Sequence, residues 1–332
     1  MSGFAARRRG AHNLRAHPIR MHPPPPLLVL GIGVVVVSTA SILIRLAQGE
    51  GVDSLTIAAV RLGVATAVLL PLALRNAHAD LLRLRPRDLL LAVLSGILLA
   101  IHFWSWIESL QHTSVASSTI LVTTNPLWVA LAAALLLGER PHAAALAGIG
   151  LSLLGMLVTF FADAHALSSG QRPMLGNSLA LLGALAASGY LLVGRALRER
   201  MRLILYIALA YGSAAVLLGV ALALTRTPLA GHGTLAWMLM GALALGPQLL
   251  GHTAFNYALR HLSATFVALA ILGEPIGSAI FALILFGEGF SALQILGFAL
   301  LLAGIYVGAR SERPQVDAGD RIAREPRRQG DS

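Results

Sequence analysis

The chain has 332 residues, of which 56% are hydrophobic and only 12% are charged, and its mean hydropathy is +0.75. A soluble domain carries roughly 25% charged residues, so this composition indicates a surface that faces lipid. The formal net charge is +10, which also suits a nucleic-acid-binding protein, and the absence of cysteine excludes disulfides and cysteine-bound metal.

Apolar runs long enough to cross a bilayer recur along the whole chain. A helix of about 20 apolar residues spans a hydrocarbon core of roughly 30 Å. The sequence predicts ten such spans, at residues 27–47, 55–74, 89–107, 116–137, 143–161, 176–194, 203–224, 234–254, 265–286 and 292–307. It therefore predicts an all-α integral membrane protein with ten transmembrane helices.

The two ends of the chain lack this apolar character. Residues 1–26 and 310–332 are polar, charged and aperiodic, which predicts disordered cytoplasmic tails. The basic stretch before the first span is similar to a signal peptide, but the apolar run at 27–47 is longer than a signal core of about 7–15 residues. We therefore expect this run to remain as the first span.

The arginines fix the orientation of the spans. All 25 basic residues are Arg, and a cytoplasmic N-terminus with alternating sides places 21 of them in cytoplasmic segments. The outer loops then hold only Arg172 and Arg226. This asymmetry obeys the positive-inside rule and predicts a multi-pass inner-membrane protein with both termini in the cytoplasm. It also explains the positive charge without nucleic acid as a partner.

An internal repeat divides the spans into two sets. Residues 112–155 match residues 261–304 at a constant offset of 149, and the offset becomes 150 further upstream. The matches include His112 with His261, Pro126 with Pro275, and Gly138-Glu139 with Gly287-Glu288. Because the offset covers five spans, the second set enters the membrane from the other side. The sequence predicts two inverted five-helix repeats, at 27–162 and 176–309, joined by an extracytoplasmic linker at 163–175.

Each half closes with the same pattern: a Pro-containing span, Gly-Glu, and then a Gly-rich helix. The two copies read NPLWVALAAALLLGERPHAAALAGIGLSLLGMLV and EPIGSAIFALILFGEGFSALQILGFALLLAGIYVG. This pattern resembles the paired EamA domain of the drug/metabolite transporter superfamily, over residues 27–309. The resemblance, which includes an Arg near the start of the second span (Arg61), implies ten helices. It also implies a central cavity lined largely by the third, fourth, eighth and ninth helices, and export or exchange of small metabolites.

Charged side chains at mid-membrane are candidates for function. Glu274 lies about ten residues into the ninth span, and Pro275 frees a backbone carbonyl one turn earlier. This pair predicts either a proton or ligand site or a bond between helices. The first half has Asn125 at the position of Glu274, and Tyr211 aligns with Arg61.

Arg61 has two interpretations, contact with an anionic substrate group or a structural ion pair with Glu108 or Glu274, and the ion pair is favoured because Arg also extends easily toward the interface. His102 and Trp106 share a face of the third span, as do His252 and Asn256 in the eighth. We expect Trp104 and Trp106 to anchor the interface, and the histidines either to line the cavity or to join helices. The candidates for substrate binding or coupling are Glu274, Arg61, His102, Trp106, Asn125, Tyr211, His252 and Asn256.

Structural roles are predicted for the repeated motifs. Glu139 and Glu288 are expected to cap the N-termini of the following helices, and glycines such as Gly148, Gly155 and Gly304 are expected to allow close helix contact or a homodimer. No His-Glu-x-x-His or similar spacing occurs, so the sequence predicts no metal and no cofactor.

The leading functional hypothesis is a secondary transporter that exports small organic metabolites by alternating access. No phosphate-binding loop of the G-x-x-x-x-G-K-[ST] type occurs, which argues against ATP drive in this chain. The alternatives are a membrane enzyme, which needs acid/base or metal groups clustered at one face, and a channel, which needs polar residues repeated along one pore line. The polar residues leave an amino acid, a nucleoside or a cationic drug open as substrate.

Overall fold

The structure, a computed structural model, describes residues 24–113, 118, 121–132, 134–135, 142–162, 172–286 and 291–311. Within these ranges the chain is helical and forms no strand. The helices are α1 (Pro26–Val37), α2 (Ala40–Gly49), α3 (Ser54–Leu82), α4 (Pro86–His112), α5 (Asn125–Ala132), α6 (Ala143–Ala162), α7 (Pro173–Arg198), α8 (Leu203–Thr225), α9 (Thr234–Leu243), a π-helix (Ala244–His252), α10 (Thr253–Ala258), α11 (Ala264–Ile271), α12 (Glu274–Phe286) and α13 (Ala292–Ser311).

Several of these helices are membrane spans by length and composition. Seven helical segments of the described residues are long and apolar enough to cross a bilayer, and two shorter apolar helices lie at Ala143–Val158 and Ala292–Gly308. The protein is therefore a multi-pass, all-α membrane protein. The predicted fourth span, 116–137, lies partly outside the described residues, so the count of ten spans stays a prediction.

Nine of the helical segments pack into two bundles. Helices α3, α4, α7 and α8 pack against one another and form what we call the α4 bundle. Helices α1, α2, α9 and α10 pack together with the π-helix and form the α1 bundle. Helix α3 also packs on the π-helix, so the two bundles meet along α3.

Helices α3 and α8, which correspond in the internal repeat, run antiparallel. Near the start of α3, Thr56 Oγ1 donates to the carbonyl of Pro228, beyond the end of α8, at 3.2 Å. Near the end of α3, the Asn76 carbonyl accepts a hydrogen bond from Arg202, which immediately precedes α8, at 3.0 Å. Equivalent helices with opposite directions are what an inverted repeat requires.

These contacts define the two ends of the molecule. The arginine-rich end holds the Arg202–Asp80 and Arg200–Asp88 ion pairs, with N···O distances of 3.4 and 3.7 Å. The opposite end holds the start of α3 and Pro228.

The predicted close contact between glycine-rich helices occurs within the chain. Helices α6 and α13 pack against each other along their length. A Cβ atom added at Gly148 would lie 2.7 Å from the Gly304 carbonyl oxygen, and one added at Gly155 would lie 2.5 Å from the Gly297 carbonyl oxygen. These glycines therefore bring α6 and α13 of one chain into close contact. The predicted homodimer stays a prediction.

Two helices begin at equivalent positions in the repeat. Helix α5 begins at Asn125 after a turn at residues 123–124, and α12 begins at Glu274 after a turn at residues 272–273. The next residue is Pro126 in one case and Pro275 in the other. Proline suits the first turn of a helix because its missing N–H would have no intrahelical partner there. The Pro-containing motifs thus set the start of a half-helix in each repeat.

Candidate functional site

Arg61 is a fully buried cation at the junction of the two bundles. It lies in α3 and is 0% exposed. Its Nε donates to Gln248 Oε1 at 2.7 Å, and its guanidinium carbon lies 3.8 Å from the centroid of the Phe103 ring. Among the described residues, Nη1 and Nη2 have no hydrogen-bond partner. A buried guanidinium whose donor fork is free is a candidate for binding a polar ligand.

Two histidines flank the Phe103 ring. His102 Nδ1 lies 2.9 Å from the Gly183 carbonyl oxygen, and its ring stacks on Trp106 with centroids 6.1 Å apart and planes 11° apart. The His252 ring meets Phe103 edge-on at 5.0 Å, and its Nδ1 has no partner in the described part of the chain. Because His102 and His252 differ by the repeat offset of 150, each half contributes one histidine.

The π-helix positions the groups that Arg61 meets from the α1 bundle. Gln248 and His252 both lie on it, after Pro247. The proline has no N–H to donate, and the wider π turn accommodates this loss. Helix α4, which corresponds to this span in the first repeat, has no such segment. The two repeats therefore share their order of helices, but the site has a π-helix on one side only.

A neutral hydrogen-bonded set lies on the α10 side of this cluster. Asn256 Nδ2 donates to the hydroxyl of Tyr190, lies 3.4 Å from that of Tyr211, and donates to the His252 carbonyl at 2.8 Å. Asn256 and Tyr211 are both 0% exposed. Tyr211, the counterpart of Arg61, thus joins an uncharged network that links α7, α8 and α10.

Glu274 and Asn125, the equivalent first residues of α12 and α5, differ in their surroundings. Glu274 is half-buried at the start of α12. Asn125 is buried, and its Oδ1 has no hydrogen-bond partner among the described residues, while its carbonyl accepts from Ser188 Oγ at 3.2 Å. Within the described residues, Glu274 therefore begins its half-helix without a hydrogen bond or an ion pair to Arg61.

Two sequence-based interpretations are corrected by these contacts. The structural ion pair predicted for Arg61 does not form, because no N···O distance of 4.0 Å or less joins it to an acid in the described residues, and Glu108 pairs instead with His112 at 2.9 Å. The interfacial position predicted for both tryptophans suits Trp104, which is 36% exposed, but not Trp106, which is 7% exposed. Trp106 lies on the same face of α4 as His102, which stacks on it, and this face points into the protein.

Some predicted residues lie outside the described part of the chain: Gly138, Glu139, Gly287 and Glu288. Their capping roles stay predictions. Within the described ranges, no group of three His, Asp or Glu residues is placed to hold a metal ion. Conversely, sequence reasoning missed Gln248, although a Pro-Gln pair inside an apolar run marks a polar break in the eighth span.

A membrane protein made of two helical repeats, with a buried charge and aromatic rings where its bundles meet, has the architecture of a small-molecule transporter. The model of the EamA-like transporter family matches residues 25–161 and again 174–309. The chain belongs to this family, and the predicted relationship to the drug/metabolite transporters is confirmed.

Similar proteins carry transporter names. An uncharacterized transporter of Clostridium kluyveri is 22% identical over 82% of this chain and 88% of its own length. An uncharacterized transporter of Archaeoglobus fulgidus is 26% identical over 84% of this chain and 94% of its own length. A probable terminal-alkyne amino-acid exporter of Streptantibioticus cattleyicolor is 26% identical over 77% and 82%. A crystal structure with 19% identity matches with a TM-score of 0.70 over 86% of this chain and 96% of that chain, and so shares the fold.

Proposed function

We propose that this protein is a secondary transporter that exports small organic metabolites by alternating access. One observation carries the proposal: Arg61 of the α4 bundle bonds Gln248 of the α1 bundle, and its remaining donors are free among the described residues. A polar site between two bundles is exposed to one side or the other as the bundles rock. Membership of a transporter family supports this mechanism over a membrane enzyme.

The proposed orientation places the arginine-rich end in the cytoplasm. Arg200 and Arg202 lie at that end together with Arg83 and Arg85, which precede α4, and Arg87 in its first turn. The positive-inside rule then favours ten spans with both termini in the cytoplasm. We propose that the protein lies in the inner membrane.

The charges at the site favour a zwitterionic substrate, that is, an amino acid or a related compound. The free donor fork of Arg61 matches a carboxylate, and Glu274, the acid that begins α12, is a partner for an ammonium group. One ligand with a carboxylate and an ammonium group satisfies both without a net change of charge. Phe103 and Trp106 supply apolar surface beside Arg61 and His102. The name of the Streptantibioticus relative supports this class, whereas a purely cationic drug leaves Arg61 without a partner.

Counterflow in reconstituted vesicles tests the proposal. Vesicles loaded with unlabelled phenylalanine are expected to take up external labelled phenylalanine by a saturable, counterflow-accelerated process. Phenethylamine lacks the carboxylate and 3-phenylpropionate lacks the ammonium group, so both are expected to compete at least about tenfold more weakly, because each leaves one buried charge unmatched. Steady conductance under voltage without counterflow contradicts a carrier and favours a channel.

Replacing Glu274 with Gln is expected to lower phenylalanine flux by about tenfold and to flatten its dependence on pH. The variant keeps the size of the side chain and removes both the partner of the ammonium group and a proton-binding carboxylate. Flux is measured in vesicles at several external pH values.

Glu108→Gln is the matched control, because Glu108 is an acid in α4 that pairs with His112 away from Arg61. Its flux and pH profile are expected to match the wild type. Normal transport by Glu274→Gln at every pH contradicts the coupling role and leaves Glu274 as a link between helices.

A further inference from the structure

Besides the Arg61–Gln248 bond and the neutral Asn256–Tyr190 bond, two sets of hydrogen bonds join the α4 bundle to the α1 bundle, one on each side of the Arg61 cluster. At the arginine-rich end, Arg195 Nη1 donates to the Leu259 carbonyl at 2.7 Å, and Arg198 Nε donates to the Asn256 carbonyl at 3.1 Å. Both arginines lie in the last turns of α7 and are only 2% exposed. They therefore bind the C-terminal turn of α10, where helix carbonyls lack intrahelical partners and favour a positive charge.

At the opposite end, the link is made by neutral side chains. Gln48, in the last turn of α2, donates through Nε2 to the Ile107 carbonyl of α4 at 3.1 Å. The same Nε2 lies 3.3 Å from Ser54 Oγ, which also accepts from Gln111 Nε2 at 2.8 Å. One neutral side chain of the α1 bundle thus bonds a carbonyl of α4 and the Ser54 hydroxyl of α3.

The two links occupy nearly equivalent positions in the repeat. At the offset of 150, Gln48 corresponds to Arg198, and Ile107 corresponds to Tyr257, which adjoins Asn256. Phe103 lies one helical turn from Ile107, and His252 lies one turn from Asn256. The Arg61 cluster therefore lies between the two links, as a central site lies between two gates.

We infer that Arg195 and Arg198 form the gate of the arginine-rich end, that Gln48 forms the gate of the opposite end, and that the difference in charge biases the unloaded transporter toward closure at the arginine-rich end. The inference rests on the proposed alternating access. Hydrogen bonds from a charged donor are roughly twice as strong as neutral ones, and the arginine gate has two such donors where the Gln48 gate has one neutral donor. Opening the gate of Gln48 is the easier step.

Exchange of the two side chains tests this inference, and the absence of native cysteine makes the labelling direct. Spin-label pairs at Arg83→Cys with Arg260→Cys report the width of the arginine-rich end, and pairs at Glu50→Cys with Arg172→Cys report the other end. All four positions are exposed. Distance distributions are recorded in vesicles without substrate and with phenylalanine.

Arg198→Gln is expected to raise the fraction of molecules open at the arginine-rich end at least about fivefold, because a neutral amide replaces the charged donor. Gln48→Arg is expected to reduce opening at the opposite end, and the double exchange is expected to reverse the wild-type preference. Arg202→Gln is the matched control: Arg202 lies at the same end, but bonds the Asn76 carbonyl within the α4 bundle. Its distributions are expected to match the wild type.

A purely structural role for Arg198 predicts a lower unfolding temperature with unchanged distance distributions, and that result overturns the gate. The proposed function fails in a different way: if no variant shows a second distance population at either end, with or without phenylalanine, alternating access itself is wrong. If two populations exist and phenylalanine shifts them, but the Arg198 and Gln48 exchanges do not, the gate assignment alone is wrong.

Discussion

Replacing Arg61 with Gln is expected to reduce phenylalanine transport roughly 30-fold or more while the protein stays folded. The variant removes the only charge that the α3 helix places in the cluster with Gln248 and Phe103. Loss of a buried, charge-assisted partner for a carboxylate costs about 2 kcal/mol or more in binding. Folding is expected to change little, because the variant loses only the bond from Nε to Gln248 and removes a buried charge whose Nη1 and Nη2 form no hydrogen bonds in the described structure.

Counterflow and thermal unfolding are measured on the same preparation to separate these effects. Arg45→Gln is the matched control, since Arg45 lies in α2 and is exposed rather than buried. It is expected to transport normally. Arg61→Lys is expected to retain only part of the flux, because lysine keeps the charge but not the planar donor fork. Transport by Arg61→Gln within twofold of the wild type contradicts a substrate-binding Arg61.

The membrane helices and the repeat are readable from sequence because local chemistry determines them. An apolar run of sufficient length must satisfy its own backbone hydrogen bonds in lipid, so it forms a helix wherever it occurs. The sequence predicts continuous spans through Pro126 and Pro275, whereas the structure begins new helices at Asn125 and Glu274, because proline suits a first helical turn and has no N–H to donate to a preceding one. The offset that aligns these motifs also aligns α3 with α8, whose contacts show that they run in opposite directions.

The partners of Arg61 are not readable from sequence because they depend on how the bundles meet. Sequence reasoning favours an acid as the partner of a buried cation, yet Arg61 bonds the neutral Gln248 and lies over Phe103. That arrangement requires the π-helix, whose extra residue per turn rotates the side chains that follow it. The buried face of Trp106 depends in the same way on helix rotation, which hydropathy does not specify.

The gates likewise depend on a pattern that is visible in the sequence and on contacts that only the folded structure shows. The correspondence of Gln48 with Arg198 is present in the sequence. Both residues lie beside polar loops, however, where a further polar residue does not indicate a function. Only the acceptor positions, on Ile107 and Asn256, reveal that the pair joins the two bundles at nearly equivalent places. An inverted repeat therefore becomes informative about mechanism where its two copies make the same contact with different chemistry.

Replacing Gly304 with Val is expected to destabilise the protein strongly. A Cβ atom at this position would lie 2.5 Å from the Ser152 backbone nitrogen and 2.6 Å from the Gly148 carbonyl oxygen. These are backbone atoms of α6, so they cannot turn away, and the helices must separate along their contact. Overpacking of this kind costs about 1–3 kcal/mol or more, and the lost close approach is what holds small-residue helix pairs together in lipid.

Gly150→Val is the matched control, because it introduces the same side chain on α6 where an added Cβ atom meets nothing within 4 Å. Valine forms helix more readily than glycine, so this variant is expected to unfold at the wild-type temperature or slightly above it. Gly304→Val is expected to unfold well below it or to aggregate on extraction into detergent. Equal unfolding temperatures for the two variants would mean that the α6–α13 contact does not support the fold. Destabilisation by Gly304→Val alone places the glycine face inside one chain, and a homodimer must then use another surface.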